Sequence, residues 1–336
     1  MNSTIYPITE KLYDQQTLTK DESQTLFDAI IKGDVEPAML AAILTALKIK
    51  GETPDEIAGA ATAMLANAAH FPRPDYDFAD IVGTGGDGAN TINISTTSAF
   101  VAAACGVKIA KHGNRGVSSK SGSSDLLDKF GINLAMSAHE ARAALDEQGV
   151  CFLFAPQYHS GVRHAMPARQ AMKTRTIFNL LGPLINPARP TIELMGVYDA
   201  ALVRPIAETM IALGMKRAAV VHGSGLDEVA IHGPTLVAEI INGDIREYTV
   251  TPEDFGLQTH PLDAIKGGDP EENRAIIKNI LTGKGTVAQQ DAVAVNVALL
   301  LRLFGQEDLK VNAQQAIEVM QSGKAYQLVE QLAARG

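Results

Sequence analysis

The sequence predicts an α/β protein: a small N-terminal helical domain followed by a larger α/β domain with a mainly parallel central sheet. Three observations predict it. Residues 1–72 carry apolar positions at helical spacing, as in LFDAII (Leu26 to Ile31) and MLAAILTAL (Met39 to Leu47). From residue 73 onward, short apolar runs alternate with helical segments, the rhythm of parallel βαβ units. Finally, a glycine-rich tract, Asp80 to Gly88, joins the first such run to the first such helix. The expected domains are therefore 1–72 and 73–336, with helices near 165–182 joining the first in space.

Each element has a local signature. Thr19 with Glu22 and Thr53 with Glu56 fit capping boxes, and Pro54 occupies a favoured first helical position. Phe71 to Asp80, FPRPDYDFAD, reads as a linker. Strands are expected at Ala79–Val82, Val107–Ala110, Val150–Phe154, Ile192–Tyr198 and Ala218–Val221. A helix from Ser95 to Cys105 closes at Gly106, and another lies near Asp125. Asn242-Gly243 signals a hairpin, and Asp269, Pro270 and Glu271 open one of the final helices in the order of cap, proline and acid.

Composition narrows the function. The 336 residues hold 38 acidic and 29 basic side chains, a net charge of −9, which disfavours general nucleic-acid binding. The start, MNSTIYPITEKL, lacks a basic-then-apolar signal, and Ala292 to Phe304 is too short and interrupted to span a bilayer. A cytoplasmic enzyme is expected. Cys105 and Cys151 sit in apolar runs and form no C-x-x-C, so both are expected to be buried thiols. No H-E-x-x-H occurs, VHGSG lacks the first glycine of a nucleophile elbow, and His70, His139, His232 and His260 show no partner pattern.

Against this acidic background, no carboxylate occurs between Asp87 and Asp125, while Lys108, Lys111, Arg115 and Lys120 do. The interval joins DIVGTGGDG, NTINISTTS and KHGNRGVSSKSGSSD, three loops suited to a phosphorylated anion. Gly83, Gly85, Gly86 and Gly88 permit positive φ and close backbone approach. The following helix start offers free N–H groups and a positive dipole end. Thr91, Ser95, Thr96, Ser118, Ser119 and Ser123 add neutral donors, and Lys111 and Arg115 add charge. Gly83, Gly85 and Gly88 also satisfy G-x-G-x-x-G, but the acid that a dinucleotide site needs about 20 positions on is missing. A Walker sequence is absent too. Any one of the loops reads equally well as a capped turn; three in succession without an acid favour the anion site.

A second acid-free stretch, Gln148 up to Glu193, carries Arg163, His164, Arg169, Lys173 and Arg175. Arg169 is a candidate partner for a substrate carboxylate, because guanidinium matches carboxylate in two hydrogen bonds; a helix with a basic exposed face is the alternative. Third, HGSGLDE (His222 to Glu228) follows an apolar strand, and Asp227 with Glu228 offers hard oxygens for Mg²⁺ beside a polyphosphate. Taken alone, Asp-Glu more often marks a helix start or a solvated surface. His159 and His164, five apart, read as a loop near the substrate rather than metal ligands.

Together GTGGD, NIST, KHGNRGVSS, RTIFNLLGPLINPA and GLDE, in this order, make the chain resemble the anthranilate phosphoribosyltransferases of the nucleoside phosphorylase type II superfamily over nearly its whole length. Ser160, Gly161 and Val162 depart from the PAM-like tripeptide of many relatives. The resemblance implies transfer of phosphoribose from phosphoribosyl pyrophosphate to anthranilate in tryptophan biosynthesis, in the cleft between the domains. It implies that phosphoribosyl pyrophosphate is held by Gly83, Gly86, Asp87, Thr91, Asn93, Ile94, Ser95, Thr96, Lys111, His112, Gly113, Asn114, Arg115, Gly116, Val117, Ser118, Ser119 and Ser123. Gly83, Asn114, Arg169 and His112 would adjoin anthranilate, and Ser95, Asp227 and Glu228 would hold Mg²⁺, as two ions. A homodimer through the N-terminal helices is implied as well. The alternatives are a pyrimidine nucleoside phosphorylase of the same superfamily and a relative that binds nucleic acid without catalysis.

Overall fold

The computed structural model describes residues 4–116 and 121–335. Four helices open the chain: Tyr6–Tyr13, Lys20–Lys32, Pro37–Lys50 and Pro54–Ala66. Both expected capping boxes form, with Thr19 accepting from the Glu22 amide at 3.2 Å and Thr53 from the Glu56 amide at 3.3 Å. Glu56 is fully buried; it accepts from the amides of Leu18 and Thr53 and pairs with Lys50 at 2.8 Å. One carboxylate thus ties three N-terminal segments together. Phe27, Ile30, Leu44, Leu47 and Ile57 fill the space between these helices.

That apolar cluster does not stop at residue 72. Ala165, Ala168, Ile177, Phe178, Leu180 and Leu181 join it, as do Met195, Val197, Ala218 and Val220 from the sheet. The helical layer therefore packs on one sheet face through a continuous core.

The sheet contains β1 (Ala79–Gly83), β2 (Ile109–Gly113), β3 (Val150–Phe154), β4 (Ile192–Gly196), β5 (Arg217–Gly223), β6 (Thr235–Ile241) and β7 (Asp244–Val250). Their order is β3-β2-β1-β4-β5-β6-β7, with β1 to β5 parallel and the last two added antiparallel. Asn242 and Gly243, at φ 53° and 95°, make the expected hairpin turn, whose positive φ at both central positions suits the strand twist. The Ile94–Ala104 and Val287–Leu303 helices cover the other face. Asp269 caps the Pro270–Leu281 helix by accepting from the Glu271 and Glu272 amides.

Two expectations need correction. The second strand begins at Ile109 and runs to Gly113, so Lys111 and His112 lie in the sheet rather than in the loop after it. Five register pairs with β3, ending at Gly113 beside Phe154, stabilise that longer strand, and the Lys111 charge finds buried acids there. Of the cysteines, Cys151 is buried but Cys105 is only half-buried, because it ends its helix next to Gly106.

Candidate active site at the sheet switch point

In this order the chain proceeds from β1 outward to β2 and β3, then returns to place β4 on β1's other side. Ligands of open α/β sheets settle in the crevice beyond the strand ends where such a reversal occurs. Here the reversal lies between β1 and β4, whose last paired residues are Gly83 and Gly196. The GLDE segment after β5 reaches this point. The Asp227 carboxylate accepts from the Gly85 amide at 2.6 Å, and Glu228 accepts from the Ser95 amide at 3.2 Å at the start of the Ile94–Ala104 helix.

Gly83 is required for a reason other than its dihedral freedom. A Cβ there would stand 2.2 Å from the Asp227 carboxylate, so only hydrogen leaves room for the acid. Gly85, Gly86 and Gly88 have the positive φ expected of them, and Gly83 does not.

Electrostatically the acids are crowded. Burial, then the neighbouring Asp87, raises the Asp227 pKa to about 7 despite the Gly85 amide. Glu228 keeps part of its surface open, yet burial of its carboxyl and the adjacent Asp227 hold its pKa well above the carboxylate range. Beneath them Lys111 is 3% exposed; its ammonium donates to the Ile81 carbonyl at 2.5 Å and reaches the Ser95 hydroxyl at 3.4 Å. Burial lowers the lysine pKa, opposed by the fields of Asp80, Glu228 and Asp227. Lys111 is thus a charge under the floor of the site, not one open to solvent.

Asn93 precedes the helix as its cap residue and links three segments. Its amide donates to the Ser121 carbonyl at 3.0 Å and accepts from buried Asn273 at 2.9 Å. Ile94 is buried below the loop, Thr96 is buried with it, and Thr91 bridges to Lys266. Gly113 ends β2, and the Asn114 carbonyl accepts from the Ser123 hydroxyl at 3.1 Å. Asp125, the far limit of the acid-free interval, folds back on it: Arg115 pairs with it at 3.0 Å, and the Gly116 and Gly122 amides donate to it. The Arg115 charge is therefore partly offset. Val117, Ser118, Ser119 and Lys120 lie outside the described residues.

The basic stretch divides into distinct roles. Arg169, half-buried on the Met166–Met172 helix, stacks over Phe178 with 5.2 Å to the ring centroid; burial lowers its pKa, and no carboxylate pairs with it among the described residues. Arg175 donates to the Gly86 carbonyl and stacks on Tyr198 at 4.0 Å, so it braces the glycine loop. Its position in the basic stretch was legible; its partner was not.

His112 and His159 pack edge to face, 5.3 Å between ring centroids. Burial lowers both, to about 3 and about 4, so the rings are neutral. His112 Nδ1 lies 3.1 Å from the Gly182 carbonyl and therefore carries the proton, leaving a buried Nε2 lone pair with no partner among the described residues. Two histidines without a sequence pattern do find partners: His260 with Asp291 at 2.8 Å and His232 with the Ser224 carbonyl at 3.0 Å. Those partners are 31 and 8 residues away, beyond any local motif.

Comparison with known proteins agrees with this geometry. Residues 75–326 match the glycosyl transferase family a/b domain, and residues 6–68 match that family's helical bundle domain. Over all 336 residues the chain is 82% identical to the anthranilate phosphoribosyltransferase of Photobacterium profundum, covering 99% of it. To the same enzyme of Pectobacterium atrosepticum it is 67% identical, covering 99% of this chain and 94% of the relative. The solved anthranilate phosphoribosyltransferase of Thermus thermophilus superposes with a TM-score of 0.93 at 40% identity, covering 99% and 98% of the two chains. That of Saccharomyces cerevisiae, in complex with PRPP and Mg, gives 0.90 at 29%, covering 100% and 98%. Fold and site together define a glycosyl transferase with a helical bundle and an α/β domain. Within that class, the chain belongs to the anthranilate phosphoribosyltransferase family.

Proposed function

We infer that this chain transfers the 5-phosphoribosyl group of phosphoribosyl pyrophosphate to the amine of anthranilate, giving N-(5-phosphoribosyl)anthranilate and pyrophosphate, in tryptophan biosynthesis. The observation that carries this reading is the convergence of Asp227 and Glu228 on the amides of Gly85 and Ser95 at the switch point, with Lys111 below. The names of the relatives supply the substrates: anthranilate phosphoribosyltransferases throughout, one of them solved with PRPP and Mg.

The residues fit Mg²⁺. Asp227 and Glu228 supply hard oxygen donors, and their pKa values, raised by burial first and then by neighbouring acids (Asp87 for Asp227, Asp227 for Glu228), record a negative site that a divalent cation would relieve. With the Ser95 hydroxyl beside Lys111, they form the donor set of the metal reading, which allows two ions. When bound, Mg²⁺ supplies charge neutralisation for the departing pyrophosphate.

The bond from ribose C1 to the pyrophosphate oxygen breaks as the anthranilate nitrogen bonds to C1 with inversion, and the amine loses a proton. No covalent nucleophile is needed, because positive charge at C1 is shared with the ring oxygen. With the Gly85 and Ser95 amides engaged by Asp227 and Glu228, the amides of Gly86, Asp87 and Gly88 and those of Asn93 and Thr96 at the helix start face the leaving charge, and Lys111 adds to its field. Gly83, Gly86, Asp87, Thr91 and the segment from Lys111 to Ser119 with Ser123 complete the phosphoribosyl pyrophosphate cradle. Arg169 takes the anthranilate carboxylate, with Asn114 and Gly83 alongside. The His112 Nε2 lone pair is an acceptor of the kind an aromatic amine N–H requires. Holding both reactants in line lowers a barrier by roughly 7 to 11 kcal/mol in favourable cases.

The N-terminal helices leave an open apolar groove of about 470 Å³ between Leu12, Tyr13, Ala42, Ala46 and Ile49, with Ile49 74% exposed. This groove supports a homodimer formed through the helical layer. Among the described residues, no helix is long and apolar enough to cross a membrane.

The test of the activity is direct. Anthranilate fluorescence falls when protein, phosphoribosyl pyrophosphate and Mg²⁺ are mixed, and holds steady when the metal is chelated. Equal loss of signal with and without chelator overturns the reading.

A further inference from the structure

Asp227 and Glu228 follow a strained turn. Ser224 and Gly225 have φ of 49° and 99° just past the end of β5, and Gly223 and Leu226 exchange backbone bonds of 3.0 Å across the turn. Beyond the turn, Asp227 is 8% exposed and Glu228 half-buried, so two adjacent carboxyls are carried into a poorly solvated segment. Something must hold it on the side away from the cleft.

Asn296 sits midway along the Val287–Leu303 helix, fully buried among Ala292, Val293, Val295, Val297 and Ala298. An amide in such surroundings is costly unless every polar atom is bonded. Its Oδ1 accepts from the Val229 N–H at 2.9 Å, while Nδ2 donates to the Val229 carbonyl at 3.1 Å and to the Ala292 carbonyl at 2.9 Å. One side chain therefore satisfies both backbone groups of the residue that directly follows Glu228, as a neighbouring β-strand would.

We propose that Asn296 is a positioning residue for the metal acids: its two-point grip on Val229 holds the Asp227 and Glu228 carboxylates against the Gly85 and Ser95 amides. The inference rests on the reading of that pair as the Mg²⁺ site. Asn312 on the Leu309–Gln321 helix is a natural control, since it is also buried, but its amide donates to the carbonyls of Ala298 on the Val287–Leu303 helix and of Gln306 between the two helices.

Mn²⁺ binding in the presence of phosphoribosyl pyrophosphate, followed by the paramagnetic resonance of the free ion, separates the possibilities. Asn296→Leu weakens Mn²⁺ binding by about 10- to 100-fold, the usual effect of removing a group that orients a metal ligand. Its half-saturating Mg²⁺ concentration rises in parallel, while kcat at saturating metal stays within a few-fold of the parent. Asn312→Leu lowers the melting temperature but leaves Mn²⁺ binding unchanged. Should Asn296→Leu fail to fold, Asn296→Ser, which keeps a polar group in the helix, gives the same readout. Parental Mn²⁺ affinity in the Asn296 variant, or equal weakening in the Asn312 variant, overturns the proposal. Parental affinity in the double variant Asp227→Asn, Glu228→Gln overturns the metal reading beneath it, and the proposal with it.

Discussion

At the scale of single residues, the site is sorted by which charges remain available. Arg115 is engaged by Asp125, Lys111 is sealed beneath Ser95, and Arg175 is spent on the Gly86 carbonyl and Tyr198. Arg169 differs: its guanidinium is half-buried over Phe178, and burial lowers its pKa with no carboxylate to compensate among the described residues. A planar cation in that state has most to gain from a planar anion. Arg169→Ala raises the KM for anthranilate by about 10- to 100-fold, matching roughly 1.5–3 kcal/mol for hydrogen bonds to a charged group, and changes the KM for phosphoribosyl pyrophosphate little. Steady-state kinetics with each substrate varied in turn checks this; equal losses for both contradict the assignment. The sequence exposed the supply of cations but not their engagement. Asp125 closes on Arg115 from ten residues away, and Arg175 meets Gly86 from 89 residues away.

Among the elements, β1 and β4 meet in a register that sets two acids side by side, Asp80 opposite Glu193. Asp80 accepts from the His112 amide and from Asn186, and burial raises it to about 6. Glu193 is 3% exposed, its Oε1 has no partner among the described residues, and burial with Asp80 nearby raises its pKa well above the ordinary 4.5. A carboxyl whose folded pKa exceeds its unfolded one contributes stability that is complete below the unfolded value and is lost as pH rises toward the folded one. Asp80 loses its contribution as pH rises through about 6, and Glu193, raised well above 4.5, loses its own as pH climbs above the ordinary carboxylate range. Glu193→Gln therefore flattens the fall in denaturant stability as pH rises above 4.5. A variant whose stability keeps the parent's slope would show that Glu193 ionises freely. Strand identity was legible here from the apolar runs, but register was not. Nothing local to Asp80 or Glu193 announces a partner 113 residues away, and the charge of Lys111 concealed that β2 continues past it.

On the scale of the whole molecule, the order β3-β2-β1-β4-β5 creates the crevice, and each functional loop is delivered to it by a different strand. The helical layer completes one face through a shared core, and its outer surface retains the apolar groove around Ile49. Ile49→Asp puts a charge in that groove and converts the proposed homodimer to a monomer, seen by light scattering coupled to size-exclusion chromatography; a parent and variant of equal mass overturn the assignment of this groove as the contact. Local chemistry alone determined much of this protein. Capping boxes at Thr19 and Thr53, the Asn242-Gly243 turn, the strand-to-helix alternation and the acid-free glycine loops depend on neighbours within a few residues, so the sequence displays them directly. Only the tertiary structure decided that Gly83 must lack a side chain to admit Asp227, that Lys111 lies under the site and Arg169 stacks over Phe178, and that Asn296 grips Val229. Each of these is a contact between segments distant in the chain, fixed by strand order and by the need to satisfy every buried charge and amide, and no local pattern encodes it.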